Sequence, residues 1–407
     1  MWDTVKRFGK NILKFNGGSG ADDFATVMQR AFDSGECMLY LPAGEYRINR
    51  PLKIRSGVTL VLDDSARIVA GDGALTKRGD FLLSNASNET GDENITIIGG
   101  VWDGNFKNNP KSAIESETGY SGALLNFVNV RNLTLRDMTL CNSAGYFSRF
   151  AKLDGFLIED IRLSHDVNVS NNDGVHLGGY CENGVIRRIH GITRGTPNDD
   201  MIALNADDCV TRTENRDLPR GPIKNLLIDD ICAESCHCFV RILSLTAEIG
   251  NIVIRNVRGG ANVRAINIDA ARYCRTPLID PDDPSYTRGV GNIHDVVVDG
   301  MEIEQLNHTA LIQAETNASN FAVHNFKRAS GRAEGETILL RNISPSRIKI
   351  YGLSEEQLKQ LLEDSELQKY DILRHKDGSR GIDATTDYND ILMLRSGGFA
   401  YFSQNKL

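Results

Sequence analysis

Two clusters of acids and amides head short apolar strands: Asn171-Asn172-Asp173-Gly174-Val175-His176-Leu177 and Asn198-Asp199-Asp200-Met201-Ile202-Ala203-Leu204-Asn205. Carboxylates are costly to desolvate without partners, so charge at a strand start leading into a core points to chemistry rather than packing. Asp173, Asp199 and Asp200 on one wall would supply both states that glycosidic cleavage needs. One carboxyl stays protonated to donate a proton, and one stays ionised to activate water or attack. Like charges at short range raise at least one pKa of such a set. Adjacent residues of a strand point to opposite faces, so Asp199 and Asp200 can share a cleft only from the turn before the strand. The alternative is a polar ladder that stabilises turns.

Positioning these acids falls to a repeat. A seven-residue template, with a polar or Gly residue, three mostly apolar ones, two polar or Gly ones and an apolar one, begins at Asn94, Asn132, Gly155, Asn183, Asn225, Asn251, Asp295 and Asn320. The intervals of 38, 23, 28, 42, 26, 44 and 25 residues have a floor near 23 with irregular enlargements. That pattern predicts a parallel β-solenoid in which some turns carry long loops. Asn at the head of many copies suits a turn in the left-handed region. A second strand set lies between copies, at 124–130, 174–178, 201–205, 239–245, 263–268 and 310–314. Strands of successive coils would stack about 4.8 Å apart, which turns sequence spacing into columns on one face.

Before the coils, FATVMQRAFDSG reads as a helix capped by Asp22 or Asp23 and ended by Gly35, covering the open end of the stack. The Gly-rich run ahead of it lacks the Lys-Ser/Thr ending of a phosphate loop. Beyond the coils, 354–368 reads as a capped amphipathic helix followed by strands at 370–373 and 391–394. Two domains are expected: 1–352, the solenoid with its cap, and 353–407, a small helix-plus-strand module that caps the coils or mediates self-association.

With 407 residues, 41% hydrophobic and 25% charged, the composition is that of an ordered globular chain. No apolar run reaches the roughly 18–20 residues that cross a bilayer, so no membrane association is expected. A net charge of −8 argues against a nucleic-acid partner. The first fifteen residues lack an apolar core and a cleavage site, and no C-x-x-C pair occurs among eight cysteines; both predict a cytoplasmic, reduced protein. Cys232, Cys236, His237 and Cys238 have irregular spacing for zinc, and the loop Asp280-Pro281-Asp282-Asp283-Pro284 lacks the Gly of a calcium turn, so no metal or other cofactor is expected.

His176 lies two positions beyond Gly174 and is a candidate for sugar contact. Arg241 and Arg264 interrupt apolar strands in consecutive coils beside the acids, where they could bind sugar or an anion. Aromatics on long excursions (Trp102, Phe106, Tyr120, Tyr273, Tyr286) could platform sugar rings or pin the loops.

Over about 15–350 the chain resembles the family 28 glycoside hydrolases, the polygalacturonase group of the pectin-lyase-like β-helices. Its entry segment is similar, from Asp22-Asp23 through Leu39-Tyr40-Leu41-Pro42-Ala43-Gly44-Glu45-Tyr46 to Gly57-Val58-Thr59-Leu60. Asn171-Asn172-Asp173 resembles the Asn-Thr-Asp motif, and Asp199-Asp200 the Asp-Asp motif. Cys236-His237-Cys238 keeps only the His of Gly-His-Gly. Arg264 keeps the Arg of Arg-Ile-Lys, while the Lys expected to grip a galacturonate carboxylate is missing.

The resemblance implies an all-β, right-handed parallel β-helix and an inverting, metal-independent glycoside hydrolase acting on a plant- or microbe-derived oligo- or polysaccharide. It implies Asp199 as general acid, Asp173 and Asp200 as activators of water, His237 as orienting the acid region and Arg264 as holding sugar; Asn171, Asn172 and His237 are also candidates for substrate binding. A polysaccharide lyase, a fructan-type transglycosylase and a non-catalytic glycan-binding protein share enough of these features to stand as alternatives. Monomer and homo-oligomer are both open.

Overall fold

The computed structural model describes residues 2–17, 23–75, 77, 79–110, 123–210, 215, 217–269, 291–314, 316, 318–329 and, in backbone, five short strands between 338 and 404. It is mostly β-strand, and from Lys10 to Leu340 every strand pairs in parallel with strands one coil away. One column of partners runs Leu125, Ser148, Val175, Ile202, Val240, Ile266, Ile312 and Ile338.

The seven-residue template has a backbone meaning. Its first residue adopts the left-handed conformation, as does the residue five places on: Asn132 and Asp137 have φ 60° and 57°, Asn225 and Asp230 57° and 55°, Asn251 and Asn256 56° and 56°. Each copy is therefore a short extended run between two corners. Asn, Asp and Gly hold those corners because their side chains tolerate this conformation at least cost. Arg188 is an exception at φ 54°, and its guanidinium is tied to Asp160 and Glu159. The corner amides also bond coil to coil, Asn251 Nδ2 to Asn225 Oδ1 at 2.8 Å and Asn225 Nδ2 to Asn183 Oδ1 at 3.1 Å.

Between the corners, alternation sends the second and fourth template residues inward. Leu133 and Leu135, Phe156 and Ile158, Leu226 and Ile228, Ile252 and Ile254, Val296 and Val298 are all buried in one continuous core. The imperfect copy at Asn183 has Gly184 at its inward position because a Cβ there would lie 2.0 Å from the Phe156 ring of the preceding coil. Facing outward, Arg136, Glu159, Arg187, Asp229, Arg255 and Asp299 are register partners in turn, an alternating ladder of charge along the coils.

The expected N-terminal helix spans Phe24–Asp33, with Asp23 accepting from Thr26 N. Its buried face lies on the core, and the Gln29 amide donates to Lys53 O and accepts from Lys53 N, both at 2.9 Å. Gln29 thereby stands in for a strand on an otherwise open edge. A further helix, Trp2–Phe8, was not foreseen; Val5 covers Val61 and Ile98. At the other end Tyr388–Met393 pairs antiparallel with Ala318–Ala329, where parallel stacking gives way. The helix expected at 354–368 lies outside the described residues.

Trp102 is not a sugar platform: it is fully buried in the core, its indole N–H donating to Gly99 O. Phe106 packs beside Phe81, Ala123 and Tyr146, pinning its loop. Tyr120, Tyr273 and Tyr286 and the loop 280–284 lie outside the described residues.

Replacing Asn225 by Ala should lower the unfolding free energy by about 1–2 kcal/mol, from left-handed strain and the lost amide bonds. Asn225→Gly should lose less, because Gly removes the strain. Denaturant titration of the two variants checks this, and equal losses would contradict the corner assignment.

Candidate active site

Coil stacking brings the acids together. Val175 pairs with Ile202, and Gly174 N donates to Asp200 O at 2.9 Å, so Asp173 and Asp200 are ladder neighbours although 27 residues separate them in sequence. Gly174 is required by this approach: a Cβ there would lie 2.6 Å from Met201 O and 2.6 Å from Leu163 Cδ1. Asp200 is the first residue of the strand Asp200–Asn205, and Asp199 sits in the bend before it. That bend relieves the strict alternation of strand faces. Asp199 Oδ1 lies 3.3 Å from His237 Nδ1, an ion-pair distance, and Asp199, Asp200 and His237 each bring one polar atom within 4.8 Å of the other two.

The three acids have different surroundings. Asp173 and Asp200 are buried, and Asp199 keeps 20% of its side chain exposed. Burial, foremost, pushes the Asp200 carboxyl well above the usual carboxylate range. The charge of Asp199 raises it further, Arg241 opposes, Asp173 raises it again and His237 opposes. His237 is raised too: burial of its ring works against the charge, but contact with Asp199 and the fields of Asp199, Asp200 and Asp173 outweigh it. Mutual influence of Asp173, Asp199 and Asp200 is the electrostatic signature of one shared patch.

The residues expected to touch sugar divide. His237 and Arg264 are half-buried at the patch; Arg264 Nε donates to Gln313 Oε1 at 2.9 Å, and Arg264 follows Cys238 and Asp200 in one register column. Asn171 is half-buried at a left-handed corner, φ 56°. Three others are corrected. Asn172 is buried, its amide donating to Gly145 O at 2.5 Å. His176 is completely buried, with Nδ1 2.6 Å from Asp173 Oδ2 and its ring stacked on Tyr146. Arg241 is buried, donating to both oxygens of Asp269 at 3.0 and 3.2 Å and lying 3.7 Å from Asp200 Oδ2.

The reason is common to His176 and Arg241. They belong to the column Asn126, Arg149, His176, Ala203, Arg241, Asn267 and Gln313, which the excursion after Asn205 helps to cover. Asp217 of that excursion makes a bidentate pair with the buried Arg149, at 3.0 and 2.7 Å. Of this column, His176 reaches Asp173 and Arg241 reaches Asp200 from under cover.

Sequence reasoning missed Asp208, Asp269, Tyr146 and Arg149. Asp269 ends the apolar run Val263–Ile268 as Asp200 opens its own, a usable signal. Asp208 sits in an irregular excursion, and only its coordinates reveal its partners. Cys236 and Cys238 are buried, and burial pushes both thiols up, as packed rather than reactive cysteines behave. The donor set Asp199, Asp200 and His237 is compact enough for a cation. Arg241 already supplies positive charge at Asp200, however, so the set suits proton sharing better than metal holding.

A carboxyl raised by folding favours the folded state below its unfolded pKa, and that contribution is lost as pH climbs through the folded value. Asp200→Asn should therefore raise the melting temperature relative to wild type at neutral and alkaline pH, with the gain shrinking toward pH 4. Thermal melts across that range check it; a pH-independent difference would contradict the assignment.

No protein-family profile matches the sequence. Over 106 residues it is 29% identical to the pre-neck appendage proteins of Bacillus phages PZA and phi29, a match spanning 26% of this chain and 12% of each of those proteins. Among solved structures, the Yersinia enterocolitica family 28 exopolygalacturonase superposes with a TM-score of 0.49 at 15% identity, over 80% of this chain and 75% of that one. The pre-mature phi29 gene product 12 superposes with a TM-score of 0.50 at 15% identity, over 82% of this chain and 46% of that one. What this chain has in common with the phi29 protein is the β-helix fold.

Proposed function

We propose that this chain is a right-handed parallel β-helix glycoside hydrolase, cleaving an oligo- or polysaccharide by metal-independent general acid/base catalysis with inversion. The observation that carries the reading is the unequal environment of three converging carboxyls. Asp200 is desolvated with its carboxyl pushed well above the usual range, Asp199 is one-fifth exposed beside a His237 that is also raised, and Asp173 faces them from the adjacent coil.

In this reading Asp199 and Asp200 share one proton, since two carboxyls this close cannot both ionise easily. The proton rests on Asp200, where charge is most costly. It moves from Asp200 to Asp199 as Asp199 gives a proton to the leaving oxygen, and the proton that Asp173 takes from water restores the pair once product leaves. Asp173, on the neighbouring coil, takes a proton from the attacking water, whose oxygen forms the new bond to the anomeric carbon as the glycosidic bond breaks. His237 holds Asp199, and Arg264 is placed to bind a sugar oxygen or an acidic group. Support for a glycan as partner also comes from the fold, whose solved examples include polysaccharide-acting enzymes.

The match to phage appendage proteins supports a setting for this activity: a chain, or a portion of one, carried on a virion and acting on a surface glycan.

Wild-type protein incubated with a panel of acidic and neutral oligosaccharides should release reducing ends on at least one of them, with chelator present. On that substrate Asp173→Asn, Asp199→Asn and Asp200→Asn should each lower turnover by about 10²–10⁴-fold, the range of general acid/base catalysis, while folding normally. Full activity in any two variants sinks the assignment. Unsaturated products detected by mass spectrometry would replace hydrolysis with elimination.

A further inference from the structure

We infer that His176 is a positioning residue: stacked on Tyr146 and facing Asp208, it sets the orientation of Asp173, an inference that rests on the catalytic reading above. His176 occupies the middle of the short strand Val175–Leu177, three residues after Asp173. Its Nδ1 lies 2.6 Å from Asp173 Oδ2, and the ring lies flat on Tyr146, with centroids 4.3 Å apart and planes 10° from parallel. On the far side Nε2 faces Asp208 Oδ2 across 3.9 Å.

Asp208 is itself held. Asn205 Nδ2 donates to its Oδ2 at 2.9 Å and Asn215 Nδ2 to the same oxygen at 3.0 Å; Asn215 Nδ2 is also 3.2 Å from the Tyr146 hydroxyl. The preceding residue, Asp207, accepts from the backbone N–H groups of Leu245, Thr246 and Ala247 at 2.7, 2.7 and 2.8 Å, which fastens this turn to the next coil. Tyr146, Asp173, His176, Asn205, Asp208 and Asn215 are all buried.

The consequence concerns geometry. Asp173 leaves the backbone just before its strand. An Nδ1–H bond from a buried ring stacked on Tyr146 fixes one carboxylate oxygen, and with it the direction of the other. A catalytic carboxylate misplaced by about 1 Å can cost about a hundredfold in rate. The chain from Asp208 through His176 to Asp173 is therefore suited to holding a base in line with its water. A packing role alone would need the ring's shape but none of its nitrogens.

The test compares His176→Phe, which keeps the stacked ring, with His176→Asn, whose amide can donate where Nδ1 did. On an oligosaccharide that wild type hydrolyses, His176→Phe should lower kcat about a hundredfold with KM little changed, and His176→Asn should recover much of the loss. Should His176→Phe fail to fold, Asp208→Asn serves instead, with a smaller fall in kcat and an unchanged KM. A second readout needs no turnover: in nitrogen-labelled wild type, the His176 Nδ1–H should exchange slowly with water and lose that protection in Asp173→Ala.

Undiminished kcat in His176→Phe, or equal losses in the Phe and Asn variants, would overturn the inference, as would a freely exchanging His176 Nδ1–H in wild type. Absence of turnover in wild type itself, with the protected proton present, would fall on the hydrolase reading instead and leave the Asp173–His176 contact standing.

Discussion

The backbone ladder between coils is the constraint on which everything else depends. Each strand residue finds its hydrogen-bond partner one coil away, so residues 21 to 46 positions apart become lateral neighbours at the spacing of a β-sheet. A loop of any length can be inserted between partners without disturbing the column, because loop closure costs grow only slowly with length. Asp173, Asp200, Cys238 and Arg264 stand in one line across intervals of 27, 38 and 26 residues. The acidic patch is thus a product of register, and register is set by the left-handed corners and the inward alternation between them.

That economy has a cost where charge is placed in the stack. Asp200 is almost wholly desolvated, and Arg241 beside it offsets only part of the penalty because Asp269 also claims the guanidinium. A carboxyl raised in this way costs stability as pH climbs above its unfolded pKa. In the proposed hydrolase reading that raised carboxyl is the proton store, an exchange of stability for function common at acid/base sites. The buried polar column beside it follows a similar logic. Arg149, His176 and Arg241 each sit under cover, and each is matched by an acid: Asp217, Asp173 and Asp269. Removing one partner of such a pair is more damaging than never having built it.

Much of this was legible in the sequence, for physical reasons that can be named. The template heads at Asn132, Asn225 and Asn251 announced the corners because few residues tolerate a positive φ. Leu226 with Ile228 and Ile252 with Ile254 announced the inner face by alternation. The acids stood out because they open strands. What sequence could not convey was depth. His176 and Arg241 look like surface groups from their polarity, and the cover supplied by irregular excursions, such as Asp217 over Arg149, helps to bury their column. Asp208 was invisible for the same cause: its partners Asn205 and Asn215 flank it within a segment with no periodicity. Trp102, read as a loop aromatic, belongs to the core because the strand Val101–Asp103 continues the ladder onto Thr139–Cys141.

The central claim is that folding keeps one of three converging carboxyls protonated, and that this carboxyl is Asp200. The most direct measurement is a pH titration of carbon-labelled aspartate side chains by NMR, with Asp173→Asn, Asp199→Asn and Asp200→Asn used to assign the signals. The account predicts a carboxyl that stays protonated well above the ordinary value of about 4, disappears in Asp200→Asn, and shifts when Asp199 or Asp173 is neutralised. Three carboxyls that all titrate near the ordinary value, without influence on one another, would contradict it.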